Sequence, residues 1–96
     1  MKYPNWFNQA IYIYLDGNDE EAIDQIFDNV DYLLLNEKFE EIDNLLNSID
    51  INLPIDIILS MLTTTSFAKK HFPSRPLLIS KLKKLEEYND LLYNLE

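Results

Sequence analysis

Cysteine is absent, and glycine, histidine and tryptophan each occur only once, so several chemistries are closed before any pattern is read. Without cysteine there is no disulfide, no thiolate zinc site and no thiol nucleophile, an absence that fits a reducing cytoplasm. The lone glycine, Gly17, leaves no glycine-rich elbow or oxyanion turn to accompany Ser60, Ser66 or Ser74 around the single histidine, His71. Nucleophilic catalysis is therefore not expected. One histidine also fails to supply the paired Glu-x-x-His of a helical di-iron centre. Lysine and arginine number 8 against 17 aspartates and glutamates, a formal charge of −9. That balance opposes general binding to nucleic acid or to anionic lipid, both of them polyanions. No apolar run approaches the roughly 20 residues that a membrane-crossing helix needs. Met1-Lys2-Tyr3-Pro4-Asn5 does not open a signal peptide, having no apolar middle or small-residue cleavage site after it. A soluble cytoplasmic chain is the expectation.

What is present is strongly ordered along the chain. Hydrophobic residues make up 47% and aromatics 12%, enough for a folded core, and 96 residues suit one domain. Residues 1–60 hold two basic side chains against thirteen acidic ones, a charge of −11, whereas residues 61–96 hold six against four, a charge of +2. Such sorting presents a negative surface and a short positive strip, and it biases which partners approach.

Helical periodicity dominates. Ile23, Ile26, Phe27, Val30, Leu33 and Leu34 recur on one face of a helix over 19–36, begun by Asn18 or Asp19 and favoured by Glu20 and Glu21 at its positive end. A second helix over 38–49 carries Phe39, Ile42, Leu45, Leu46 and Ile49, and the short link between the two predicts an antiparallel αα-hairpin. A third, over 54–70 with Pro54 in its first turn, is apolar almost all round and so expected to be central, with a kink or early end at Thr63, Thr64 and Thr65. His71 to Pro76 forms a connector, with Ser74 as the cap of a last helix over 75–94. The first segment is two-sided: Phe7, Ala10, Ile11 and Tyr14 read as helix, whereas Ile11 to Leu15 alternates like a strand before the turn Asp16-Gly17-Asn18. No other segment alternates to pair with it, so helix is preferred. The fold class predicted is all-α, a single small bundle of four or five helices, orthogonal or antiparallel, around a central αα-hairpin.

Tyr32-Leu33-Leu34-Leu35-Asn36-Glu37-Lys38-Phe39-Glu40-Glu41-Ile42 resembles the first-helix end and turn of tetratricopeptide-like hairpins, which place a large residue, a Leu and a Tyr or Phe at this spacing before an acidic helix. Ser48 suits the next small position, but Asn52 and Ser60 stand where an aromatic and a proline belong. The resemblance implies a helical hairpin of related geometry, not a repeat array. The wider order Ile26-Phe27-Asp28, Asp31, Leu33-Leu34, Phe39-Glu40-Glu41, Leu45-Leu46, Leu53-Pro54, Leu59, Leu62-Thr63, Thr65 and Ser74-Arg75 is similar to small acidic, uncharacterised helical proteins of bacteria and their phages. It implies a bacterial or phage cytoplasmic origin and supplies no reaction.

Each chemical candidate meets a plainer alternative. Asp16-Gly17-Asn18-Asp19-Glu20 invites a calcium loop, but glycine stands second where the loop needs it sixth, and Phe27 holds the twelfth place reserved for glutamate. Asp24, Asp28 and Asp31 share a helix face with Glu20 and Glu21 near, which reads first as a solvated surface and second as a recognition surface. Paired carboxylates for glycosidase-type chemistry remain open, although so small a helical domain seldom forms a deep cleft. Lys69, Lys70, Arg75, Lys81, Lys83 and Lys84, with Phe72 among them, could suit single-stranded nucleic acid. Docking of this strip onto the acidic face, within one chain or between copies, is the stronger reading, with Lys83 able to pair with Glu87. Leu78, Leu85 and Leu92 lie seven apart, with Tyr88 and Leu95 on the matching positions and Lys81 interrupting the seam.

The functional expectation is a non-enzymatic module, without cofactor or metal, that binds an unidentified protein. Asp24, Asp28, Asp31, Glu40, Glu41, Trp6 and Tyr12 are the candidate contacts. Two alternatives remain: an acidic inhibitor that mimics nucleic acid, and a homo-oligomer assembled through Leu85, Tyr88, Leu92 and Leu95. Neither nucleic acid nor a membrane is expected as a partner.

Overall fold

Phe7 and Ala10, one turn apart, settle the ambiguous first segment as a helix, because their side chains are fully buried on a single face. The computed structural model, which describes residues 2–96, has helices α1 (Asn5–Leu15), α2 (Asp19–Leu35), α3 (Phe39–Ser48), α4 (Ile55–Thr65), α5 (Ser74–Lys83) and α6 (Asn89–Tyr93), with a 3₁₀ turn at Ser66–His71. There is no strand among the described residues. The fold is all-α, with the last predicted helix divided in two.

Two turns of the same kind set the early path. At the end of α1, Asn18 N–H donates to Ile13 O and Gly17 N–H to Tyr14 O, with Gly17 at φ 93°. At the end of α2, Lys38 N–H donates to Leu33 O and Glu37 N–H to Leu34 O, with Glu37 at φ 54°. Both are the paired 6→1 and 5→2 bonds that close a helix through one left-handed residue. Glycine takes that conformation freely; glutamate does so against its Cβ.

The tightest packing joins α1 to α2, α2 to α4, and α3 to α5; α2 and α3 touch less, near their connection. Helix α4 is the centre. Ile57, Ile58, Met61 and Leu62 are sealed, and even Ser60, Thr64 and Thr65 are buried. The hydroxyls on this helix bond back to its own carbonyls, Ser60 to Asp56 O at 2.6 Å and Thr65 to Met61 O at 2.7 Å. Such back-bonding competes with the main-chain ladder, and α4 ends at Thr65, tightening into the 3₁₀ turn where Ala68 leaves helical geometry.

Tertiary contacts hold the remaining ends. Asp50 N–H donates to Tyr3 Oη at 3.0 Å, tying the chain start to the loop after α3. Asp43 on α3 caps α5: Ser74 N–H donates to its Oδ1 at 2.9 Å and Ser74 Oγ–H to its Oδ2 at 3.0 Å. The cap expected from Ser74 itself is thus supplied across the core, where a carboxylate also meets the positive end of the α5 dipole.

The single helix expected over 75–94 does not form. Glu86 adopts φ 58°, the chain turns, and α6 starts afresh at Asn89. The turn lets Leu92 enter the core, where it is fully buried, while Tyr88 and Leu95 pack partly buried against it. No seven-residue seam remains, and of the four positions proposed for self-association Leu92 is sealed, Tyr88 and Leu95 are partly buried, and Leu85 is 40% exposed.

Replacing Glu37 by glycine relieves the left-handed strain without removing a contact of the core. Glu37→Gly is expected to raise unfolding free energy by about 1 kcal/mol, measured as a higher urea midpoint at unchanged slope.

Candidate functional site

On α2, Asp24, Asp28, Asp31 and Leu35 follow at spacings of four, three and four, which draws one stripe along a helix. All four are exposed. Tyr32 flanks the stripe at 67% exposure, and Leu35 is 84% exposed. Asp31 is held at its edge, accepting from Thr64 Oγ1 of α4 at 3.4 Å. Three residues past Thr64 stands Phe67, 91% exposed. A negative stripe therefore runs into exposed Tyr32 and Leu35, with Phe67 exposed beyond the end of α4 that Asp31 touches.

The other sequence candidates lie elsewhere. Trp6 and Glu41 share a groove of about 310 Å³ with Lys2, Pro4, Leu33 and Leu45. Leu33 sits almost opposite the aspartate stripe around the α2 axis, two positions short of Leu35. Glu40 is exposed on α3, one position from Glu41 and so about 100° away around the helix. Tyr12 points outward from α1, on the side away from Phe7 and Ala10. Trp6 is half-buried, its ring edge-on to Phe7 with centroids 5.7 Å apart. The structure thus gathers the three aspartates and separates them from Trp6, Glu41 and Tyr12.

The basic strip is rearranged more deeply. Arg75 is only 3% exposed, with no carboxylate beside it. Its Nε donates to Thr65 Oγ1 at 3.0 Å, and its Nη2 donates to Leu62 O at 2.8 Å and to Leu95 O at 3.0 Å. Burial lowers its pKa from the ordinary arginine value, yet a guanidinium stays charged at neutral pH. The carbonyl of Leu62, near the negative end of the α4 dipole, suits it. Phe72, which among the basic residues could have suited single-stranded nucleic acid, is buried against Phe39. His71 stacks on Phe39 at 3.8 Å between ring centroids, so the histidine belongs to an aromatic cluster.

Lys69, Lys83 and Arg75 instead line a cleft of about 370 Å³ with Pro76, Ile79, Ser80 and Glu96. Lys83 pairs there with the Glu96 carboxylate, not with Glu87, and Lys69 Nζ donates to the Glu96 main-chain oxygen at 3.0 Å. This is the one ion pair among the described residues. The strip therefore does not dock onto the acidic face within the chain, and no cation pairs with the aspartate stripe among the described residues.

No three histidine, aspartate or glutamate side chains converge to hold a metal ion among the described residues. Tyr14, on the buried side of α1, donates its hydroxyl to Asp56 Oδ2 at 2.9 Å and so links α1 to α4. The hydrogen bond to Asp56, then burial, then the charges of Asp56 and Asp19 raise the Tyr14 phenol above its ordinary value.

Sequence reasoning missed the apolar patch and the cleft. The patch had a signal: Tyr32 and Leu35 fall off the hydrophobic face of their own helix. The cleft had none, because Lys69, Lys83 and Glu96 meet only after the chain turns at Glu86.

Arg75→Met removes the guanidinium donor to Leu95 O and leaves Leu62 O only the Thr65 hydroxyl at 3.3 Å. Its expected cost is on the order of 2–3 kcal/mol of unfolding free energy by urea titration. For Tyr14, a raised folded pKa means that the bond contributes fully below the unfolded value of about 10 and is lost as pH climbs past the folded one. The difference in thermal midpoint between wild type and Tyr14→Phe should hold steady from about pH 7 to pH 9, then shrink above about pH 10. No family model, curated protein or solved structure matches this chain.

Proposed function

We propose that the chain is a non-enzymatic interaction module, an accessory protein of a bacterium or phage, that binds another protein through the outer face of α2. The observation carrying this reading is the stripe of Asp24, Asp28 and Asp31, paired with no cation among the described residues and ending in exposed Tyr32 and Leu35, with Phe67 exposed beyond the end of α4. Large apolar side chains near full exposure lose most by staying in water, and burying Leu35 or Phe67 against a partner recovers about 1.5–3 kcal/mol each. Carboxylates around such a patch steer basic surfaces toward it and repel acidic ones. The complementary partner surface is an apolar pocket rimmed by lysine or arginine.

The two parts have separable signatures. Charge at the rim acts mainly on the association rate and its salt dependence, whereas the apolar anchors act on the dissociation rate. Against a partner captured from the source cells, Asp24→Asn/Asp28→Asn/Asp31→Asn should slow association and flatten its dependence on salt. Leu35→Ser should speed dissociation tenfold or more, on the order of 1.5 kcal/mol. Surface plasmon resonance measures both. A captured partner whose rates neither variant changes would refute the assignment of the site.

A further inference from the structure

We infer that the cleft between the 3₁₀ turn and α5 is a binding site for a phosphate group, partly occupied by Glu96. The site is independent of the α2 face. Its floor is Arg75, whose Nε and Nη2 are fixed by Thr65 Oγ1, Leu62 O and Leu95 O. Nη1 has no acceptor among the described residues, and no side-chain nitrogen sealed from solvent lacks a partner among them, so Nη1 keeps contact with solvent on a residue that lines the cleft. Lys69 and Lys83 stand on its walls.

Charge decides the ligand class. Three cations converge on the cleft, where the Glu96 side-chain carboxylate pairs with Lys83 and the Glu96 main-chain oxygen accepts from Lys69, so the cleft stays positive and Arg75 lines it without a carboxylate partner among the described residues. A phosphate monoester carries about −1.5 to −2 near neutral pH and offers three acceptor oxygens, one for each cation. The guanidinium is already positioned, so little is lost in ordering it on binding. Pro76 and Ile79 supply an apolar wall beside the cations, and a cleft of about 370 Å³ has room for a small organic body next to the phosphate.

Glu96 is a displaceable occupant. Its side chain is 41% exposed and Lys83 is 44% exposed, so their pairing is an open surface contact. Such pairs contribute little, and a dianion competing for the same ammonium displaces the carboxylate. The arrangement makes Glu96 an internal competitor that sets a threshold for ligand.

The test is an amide-resolved NMR titration of the full chain with inorganic phosphate, phenyl phosphate and acetate. Saturable shifts centred on Ile79, Ser80 and Lys83 are expected with both phosphates. Tighter binding of phenyl phosphate than of inorganic phosphate points to an ester as the ligand, and equal binding to free phosphate; either ranking supports the site. Glu96→Gln removes the competitor and should tighten both by about two- to fivefold. Lys69→Met should weaken binding, and so should Lys83→Met in the Glu96→Gln background. Lys81→Met, outside the cleft, should leave it unchanged. Absence of saturable shifts in both wild type and Glu96→Gln overturns the proposal. So does acetate binding as tightly as phosphate, or Lys81→Met weakening binding as much as Lys69→Met.

Discussion

A single buried guanidinium holds three parts of this chain together. Arg75 reaches from α5 to the end of α4 and to the segment after α6, giving each a hydrogen bond. Burying a cation is costly unless its donors are satisfied. Here neutral carbonyls and a hydroxyl satisfy Nε and Nη2, and no carboxylate among the described residues pairs with the guanidinium. The consequence is directional: the C-terminal segment must fold back for Leu95 O to reach Arg75, and the core closes when Leu92 follows it inward. The break at Glu86, a residue ill suited to a left-handed turn, is tolerated because the segment beyond it is held by that bond and by apolar burial.

Local and tertiary forces share the rest of the architecture unevenly. The turns after α1 and α2 are closed by the same pair of main-chain bonds, although only the first has glycine at its left-handed position. A three-residue link with Phe39 ready to pack on the far side leaves the chain little alternative, so Glu37 bears the strain. At α5 the cap comes from Asp43, more than thirty positions earlier in the chain, so that one hydrogen-bonded pair also fixes the distance between α3 and α5.

Charge separation along the chain persists in space, with one local exception. Among the described residues the aspartates of α2 meet no cation, and the lysines of the second half pair only with Glu96. An acidic protein usually dilutes its self-repulsion by pairing charges across the surface; this one leaves two fields of opposite sign. Each adjoins apolar side chains, Tyr32 and Leu35 on the acidic side and Pro76 and Ile79 on the basic side. That combination of a steering field with a contact surface is the physical basis for reading both as places of recognition.

The sequence by itself determined the fold class, the extents of α2 and α3, the central place of α4 and its early end at the threonines. Each follows from local repetition, since a stripe of apolar residues at helical spacing folds the same way whatever it packs against. The aspartate stripe was equally legible, because Asp24, Asp28 and Asp31 belong to one helix and their common face is a matter of spacing. Only the tertiary structure decided that Arg75 and Phe72 are internal, that Trp6 and Glu41 part company with the aspartates, and that Lys69, Lys83 and Glu96 meet. Those outcomes depend on which residues distant in sequence become neighbours, and composition and periodicity carry no information about that. The division of the last helix belongs there too: its leucine spacing is compatible with one long helix, and the core's need for Leu92 and the bond from Arg75 to Leu95 override it.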